Sequence, residues 1–399
     1  MKILMLSTFP IDEPRHGGQI RVRNLYQRYK DLGHEVKIAG VLGSSAYNNS
    51  ENFIDYPAEE IASYSINSHL MEDFIISELL FANKKLYESL VKKILFSPDV
   101  IHVELPWLYK FAEKFSSSLN KPVKIIYGSE NIEYQLKKQI LENYAPSEDV
   151  EKLVCLVKQT EEYAARNADV CLGVSKENCD WLQNLSNSPV YLIPNGVADR
   201  HRTKIGSLEY NKLNIKGEYA LFCGSAHAPN AHGFFEMFNS GLGSLSPDQR
   251  LVVVGGVSGL LLGDERFFKI ANLAKRTSVI GEVSDDLLAE LLFQAHCIIL
   301  PISQGEGTNL KTAEALWTGC HIVGTPKAFR GFENYMSSSG VWISETPKEF
   351  RRNLRNAMSS RKNILSDRER RIRRSVLWTE CLDPLADCLS YLEGNVNDK

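Results

Sequence analysis

A chain of 399 residues has room for two or three domains of about 100–200 residues each. Hydrophobic residues make up 43% and charged residues 24%, the mix of a globular protein with packed cores. With 46 Lys and Arg against 49 Asp and Glu the net charge is −3, which gives no global electrostatic case for nucleic-acid binding.

The opening run Met1–Leu6 has the apolar character of a leader peptide. It lacks a small-residue cleavage site and leads into Asp12, Glu13 and Arg15, so it reads as a first buried strand. Further short apolar runs, many of them β-branched, follow at Val36–Val41, Val100–Val103, Val123–Tyr127, Val170–Val174 and Val190–Ile193. A second series comprises Tyr219–Cys223, Arg250–Val254, Val279–Ile280, Cys297–Pro301, His321–Gly324 and Gly340–Ile343. Helical periodicity fills the intervals, for example at Gly18–Leu32, Tyr87–Leu95 and Val150–Asn167, whereas Asn48–Ser68 reads as an irregular connection. Continuous apolar strands separated by helices predict parallel sheets covered on both faces. Two such series predict an α/β chain of two doubly wound, Rossmann-like domains facing one cleft. The turn Pro194-Asn195-Gly196 and the polar stretch after it place the boundary near residue 198. The expected domains are therefore 1–198 and 199–375, followed by a closing amphipathic helix in 376–399.

The longest nearly continuous apolar run, Leu251–Gly263, is shorter than the roughly 20 residues of a spanning helix. The eight cysteines include no Cys-x-x-Cys pair and sit mostly in apolar surroundings, as buried thiols of a reducing cytoplasm would. Segment 351–374 carries ten Arg and Lys against Asp367 and Glu369. It reads first as the solvated face of two helices, and second as a peripheral contact for anionic lipid or an acidic glycan.

Segment 300–316 concentrates the chemistry. A buried strand ends, Gly305-Glu306-Gly307 makes a turn, and a helix is expected from about Thr308. Glycines let a ligand approach the backbone, and the unpaired amides around Asn309 and Leu310 favour an anion. Lys311 adds a full positive charge, and the set suits a diphosphate. Glu306 and Glu314 accept hydrogen bonds from vicinal hydroxyls, one from a ribose and the other from a sugar ring. The Gly-x-Gly also matches part of a dinucleotide fingerprint, but Leu310 stands where a third glycine belongs, which weakens a hydride-transfer reading.

Taken together, Gly305-Glu306-Gly307-Thr308-Asn309-Leu310-Lys311 and Glu314-Ala315-Leu316 resemble the Glu-x7-Glu signature of retaining glycosyltransferases of the GT-B fold, family 4. Other pieces resemble the same family in the same order. Gly17-Gly18-Gln19-Ile20-Arg21 is similar to its phosphate-facing glycine loop. Ala168-Asp169-Val170 through Ser175 and Pro194-Asn195-Gly196 are similar to its strand and linker motifs. Gly224-Ser225 resembles its second-domain loop, and Gly281-Glu282-Val283 the loop that seats the base.

The resemblance implies a metal-independent sugar transfer from a nucleotide diphosphate sugar to a hydroxyl of a glycan or glycolipid. It places the donor on the C-terminal domain and the acceptor on the N-terminal one, with the last helix crossing back to the N-terminal domain. It assigns catalysis to Glu306, Lys311 and Glu130, the last in a position where the family often has His. It assigns donor binding to Gly17, Gly18, Arg21, Gly224, Ser225, Gly281, Val283, Gly305, Gly307, Thr308, Asn309, Leu310 and Glu314. No Asp-x-Asp occurs in the chain, so no metal ligand and no cofactor is expected. The basic pair that many members carry after the Gly224 loop is replaced by Ala226-His227-Ala228-Pro229-Asn230, which leaves Lys311 and Arg21 as the expected cations. Glu104 is a candidate acceptor contact, and His102 a structural histidine. The rival readings are a nucleotide-sugar epimerase on the same fold and a non-catalytic glycan- or nucleotide-binding protein.

Overall fold

A computed structural model describes residues 1–397, apart from 15, 49, 65–67, 201–205 and 305–307. The chain forms two compact units, Met1–Asn195 with Cys381–Lys399, and Gly196–Glu380. The division falls inside the Pro194-Asn195-Gly196 turn, and the last helix, Leu385–Asn397, belongs to the first unit.

The first unit is built on seven parallel strands: β1 (Lys2–Ser7), β2 (Glu35–Val41), β3 (Phe53–Ile54), β4 (Val100–Glu104), β5 (Lys124–Ser129), β6 (Val170–Gly173) and β7 (Val190–Leu192). Their order is β3-β2-β1-β4-β5-β6-β7. The second unit has six: β8 (Tyr219–Cys223), β9 (Arg250–Val254), β10 (Thr277–Gly281), β11 (Cys297–Leu300), β12 (His321–Gly324) and β13 (Val341–Ile343), in the order β10-β9-β8-β11-β12-β13. All twelve strands expected from the sequence are present. The thirteenth, β3, lies within the stretch expected to be irregular.

Burial of both faces explains why these strands are almost wholly apolar. In the second unit Leu221, Val252, Val254, Ile298, Leu300 and Ile322 pack into one core. Their neighbours Ala220, Phe222, Leu251, Val253, Ile299 and Val323 pack into the core on the opposite face. Successive side chains of a strand point to opposite faces, so a sheet covered twice needs apolar residues at every position. All eight cysteines are free thiols, five of them buried. No helix among the described residues is long and apolar enough to cross a membrane.

Each sheet reverses its direction of growth once, between β1 and β4 in the first unit and between β8 and β11 in the second. At such a switch point the loops leaving adjacent strands diverge to opposite faces and open a crevice at the carboxyl edge. That topology selects the loops after Ser7 and Glu104, and those after Cys223 and Leu300, as the places to look for a site.

Candidate functional site

At the second unit's switch point the loop after β8 enters the helix Ala228–Met237, and the loop after β11 enters the helix Leu310–Thr318. The latter helix begins two residues later than the sequence suggests. Asn309 is its N-cap, in an extended conformation, and Thr308 remains outside. Asn309 directs its side-chain amide to the Ala328 carbonyl at 3.4 Å and makes no side-chain cap to the helix. The helix therefore presents first-turn amides from Leu310 onward, where the macrodipole favours negative charge. At the other end Gly319 closes the helix with φ +77°, a left-handed C-cap that suits glycine.

Lys311 is held across the crevice. Its Nζ donates to Asn230 Oδ1 at 3.0 Å, while the Asn230 amide donates to the Ser225 carbonyl at 2.9 Å and to Ser225 Oγ at 3.3 Å. Asn230 is buried, so this chain of bonds fixes the lysine against the loop that lacks Lys and Arg of its own. Burial draws the Lys311 pKa down, and nearby negative charge, including Glu314, draws it back up. His227, on the same loop, is shifted down by burial and by the Lys311 charge, which favours a neutral imidazole. Close packing makes this geometry possible: a Cβ on Gly233 would lie 1.9 Å from the Pro301 carbonyl oxygen, so only glycine lets this helix rest on the end of β11.

Glu314 lies one turn into the helix. Burial pushes its pKa up, opposed by the positive charges of Arg200 and Lys311. Arg200 was not anticipated. Its Nη2 reaches Asp285 Oδ1 at 3.3 Å, its Nη1 has no hydrogen-bond partner, and its carbonyl accepts from the Trp317 indole at 3.3 Å. It lies in the polar stretch after Gly196, where nothing in the sequence pattern marks one cation above another.

Two further loops, after β9 and β10, line the same carboxyl edge. Val257 N donates to the Gly224 carbonyl at 3.0 Å, and Gly255 N to the Gly281 carbonyl at 2.7 Å. Gly281 N donates to Ser258 Oγ at 3.2 Å. Gly224 and Gly281 are thus brought together through the 255–258 turn. Gly281 has φ +87° with open space where a Cβ would be, and Val283 packs on the core beneath. Gly305, Glu306 and Gly307 lie outside the described residues.

In the first unit, the helix Gly17–Asp31 starts at the carboxyl edge of β1. Gly17 is exposed, and a Cβ on Gly18 would lie 3.0 Å from the Phe9 ring and 3.1 Å from Glu130 Oε2. Glu130 therefore faces the first turn of this helix. Its pKa is raised to about 8, by burial first and then by the Glu104 charge, with Arg21 opposing. That shift favours the protonated carboxyl, which can donate a hydrogen bond, the capacity an ionised Glu lacks.

Arg21 and Glu104 lie elsewhere than the sequence suggests. Arg21 was expected beside donor phosphates, yet it is completely buried, with Nε donating to Glu104 Oε1 at 2.5 Å and Nη1 to the Ile193 carbonyl and Asn195 Oδ1 at 2.9 and 3.1 Å. The reason is helical phase: Arg21 shares the sheet-facing side with Val22 and Leu25. Glu104, also buried, continues the network to His102 at 2.8 Å, and Tyr29 lies 2.9 Å from the other His102 ring nitrogen. Burial pushes the Glu104 pKa up, but the Arg21 and His102 interactions overcome it and hold the carboxyl at about 2. Neither residue is free to meet a phosphate or an acceptor. Just after Glu104, Leu105 has φ +66°, a conformation costing about 1–3 kcal/mol in a non-glycine residue and concentrated at functional sites.

Residues 217–360, within the second unit, match the family model described as Glycosyl transferases group 1. Sucrose-phosphate synthase from Thermosynechococcus elongatus superposes with a TM-score of 0.68 at 15% identity, over 99% of each chain. HepE of Anabaena, solved with UDP and glucose, gives 0.63 at 12% identity over 98% of this chain and 100% of its own. WaaG, a glycosyltransferase involved in lipopolysaccharide biosynthesis, gives 0.59 at 14% identity over 100% and 99%. No curated protein sequence matches the chain. The second unit thus matches the model of the glycosyl transferases group 1 over most of its length, and the chain has the GT-B fold.

Proposed function

We propose that the protein is a glycosyltransferase that moves a sugar from a nucleoside diphosphate sugar to a hydroxyl of a glycan or glycolipid, with retention of anomeric configuration. The observation that carries the proposal is Lys311, held by Asn230 at the carboxyl edge of β8 and β11, one helical turn from Glu314. A diphosphate placed there meets a full positive charge and the first-turn amides of Leu310 and Lys311, with Gly224, Ser225, Thr308 and Asn309 beside them. In this reading Glu314 accepts hydrogen bonds from the ribose, and Gly281 and Val283 seat the base. Glu306, Gly305 and Gly307 approach the sugar and phosphates. In the first unit, Gly17 and Gly18 offer amides to the phosphates. The match of the second unit to a glycosyltransferase family, and the UDP and glucose in HepE, support a nucleotide-sugar donor.

In the reaction the bond between the anomeric carbon and the diphosphate oxygen breaks as the acceptor oxygen bonds to that carbon from the same face. The acceptor proton passes to the departing phosphate, so atoms and charge balance without a protein nucleophile. Negative charge grows on the diphosphate as the bond lengthens, and preorganised donors aimed at it contribute a few kcal/mol each. Protonated Glu130 donates a hydrogen bond to a sugar hydroxyl. Arg21 and Glu104 act indirectly, by fixing the strand ends that carry these groups.

Charge on the diphosphate is met by Lys311 and amides in this scheme, so no divalent ion is required. Among the described residues no group of three or more His, Cys, Asp or Glu side chains is placed to hold one. Activity is expected to persist in EDTA, with NMR showing the donor's anomeric configuration in the product. Inversion would exclude same-face attack. Loss of turnover that magnesium or manganese restores would exclude metal independence, and isomerisation of the donor without acceptor would favour the epimerase.

A further inference from the structure

A second cavity in the Gly196–Glu380 unit, of about 540 Å³, lies at the other end of the Leu310–Thr318 helix. Four cations line it, Arg200, Lys362, Arg370 and Arg373, together with the rings of Phe293 and Trp317. Among the described residues no carboxylate lines it.

Part of this charge has an ordinary structural explanation. Arg373 donates to the Leu316 carbonyl at 2.9 Å and to the Ser339 carbonyl at 2.8 Å, and Lys362 to the Gln294 carbonyl at 3.2 Å. Leu316 and Gln294 belong to the last turns of their helices, where unpaired carbonyls attract cations. That explanation is incomplete. Arg373 is 2% exposed and its hydrogen bonds go to carbonyls; burial shifts its pKa downward, with the Glu369 charge opposing. Arg200 adds a second guanidinium, whose Nη2 pairs with Asp285 and whose buried Nη1 has no partner. Exposed Arg370, in the last turn of the helix Asp367–Arg373, supplies a third at the mouth. Clustered like charges repel, and an anion among them removes that repulsion. Guanidinium forks match phosphate oxygens in geometry, and the two rings offer an apolar wall to the group esterified to the phosphate.

We infer that this cavity binds a phosphate ester, at a site separate from Lys311 and the donor. A soluble phosphorylated metabolite and a lipid headgroup share that chemistry. The rim carries Ile364, 82% exposed, with Ile372, 51% exposed, nearby on the helix Asp367–Arg373.

The test uses the full chain carrying Lys311→Ala, which removes the donor-site cation, and two probes. Phenyl phosphate is titrated by calorimetry, with Trp317 fluorescence followed in parallel against a Trp317→Phe control. Vesicles of phosphatidylcholine with and without phosphatidylglycerol are tested by co-sedimentation. The expected result is saturable binding in at least one arm, weakened about tenfold or more, or about 1.4 kcal/mol, by Lys362→Glu with Arg370→Glu. Binding of phenyl phosphate alone identifies a soluble ester as the source, and binding of the phosphatidylglycerol vesicles identifies a lipid headgroup. Absence of binding in both arms, or binding that the paired charge reversal leaves unchanged, overturns the inference. Since Lys311→Ala is present throughout, the outcome is independent of whether the donor reading is correct.

Discussion

Replacing Arg21 by Met is expected to destabilise the first unit by about 3–5 kcal/mol at neutral pH, the cost of leaving a buried charge without its partner. Arg21 and Glu104 are both at most 2% exposed, and the guanidinium ties β4 to the Ile193 carbonyl and Asn195. The sign of the pH effect follows from Glu104. Its pKa in the folded chain is depressed to about 2, so its contribution is present above the ordinary carboxylate value and is lost as pH falls through about 2. Without Arg21 the burial effect on Glu104 is no longer offset, and its pKa rises. The deficit of Arg21→Met should therefore be largest at neutral pH and shrink as acid protonates Glu104. Urea denaturation followed by circular dichroism at neutral and mildly acidic pH measures both. A deficit below about 1 kcal/mol, or one independent of pH, would place Arg21 among weakly coupled surface charges instead.

The second large effect concerns turnover. Lys311→Ala is expected to lower kcat/KM by about 100-fold or more, equivalent to about 2.7 kcal/mol, with the larger share in kcat. The reasoning is that the ammonium–phosphate attraction strengthens as the sugar departs, and an interaction stronger in the transition state acts on kcat. A lysine pairing only with a helix neighbour would contribute a few tenths of a kcal/mol. Lys311 is instead hydrogen-bonded to buried Asn230 across the crevice. An enzyme within about threefold of wild type would transfer the phosphate role to another cation. Arg21, buried against Glu104, is not available for that role.

The strands were legible because burial on both faces makes each a short unbroken apolar run, a pattern with little ambiguity between Gly, Pro and polar breaks. β3 escaped because two residues, Phe53 and Ile54, are too few to show any period. The start of the Leu310–Thr318 helix was set two residues early because Thr308 is itself a good cap residue, and its exclusion depends on the extended backbone of Asn309. Lys311 and Glu314 stand out in the sequence by their spacing after a strand and a Gly-x-Gly segment, and both lie on the helix Leu310–Thr318. The inward aim of Arg21 was not legible, since it depends on where the helix begins and on a partner 83 residues away. Glu130 was visible only through resemblance, and its raised pKa is a property of its neighbours that no local pattern records. Arg200 illustrates the limit: its neighbours in space, Asp285 and Trp317, are remote in sequence.

The most direct measurement of donor binding is calorimetric titration of uridine, guanosine and adenosine diphosphates into the wild-type chain and into Glu314→Gln. One of the three is expected to bind with one-to-one stoichiometry, and the substitution to weaken it at least about tenfold, or about 1.4 kcal/mol, while thermal unfolding of the unliganded chain stays close to wild type. Failure of all three to bind, or equal affinity in the two proteins, would contradict the assignment of the β8–β11 crevice to a nucleotide donor.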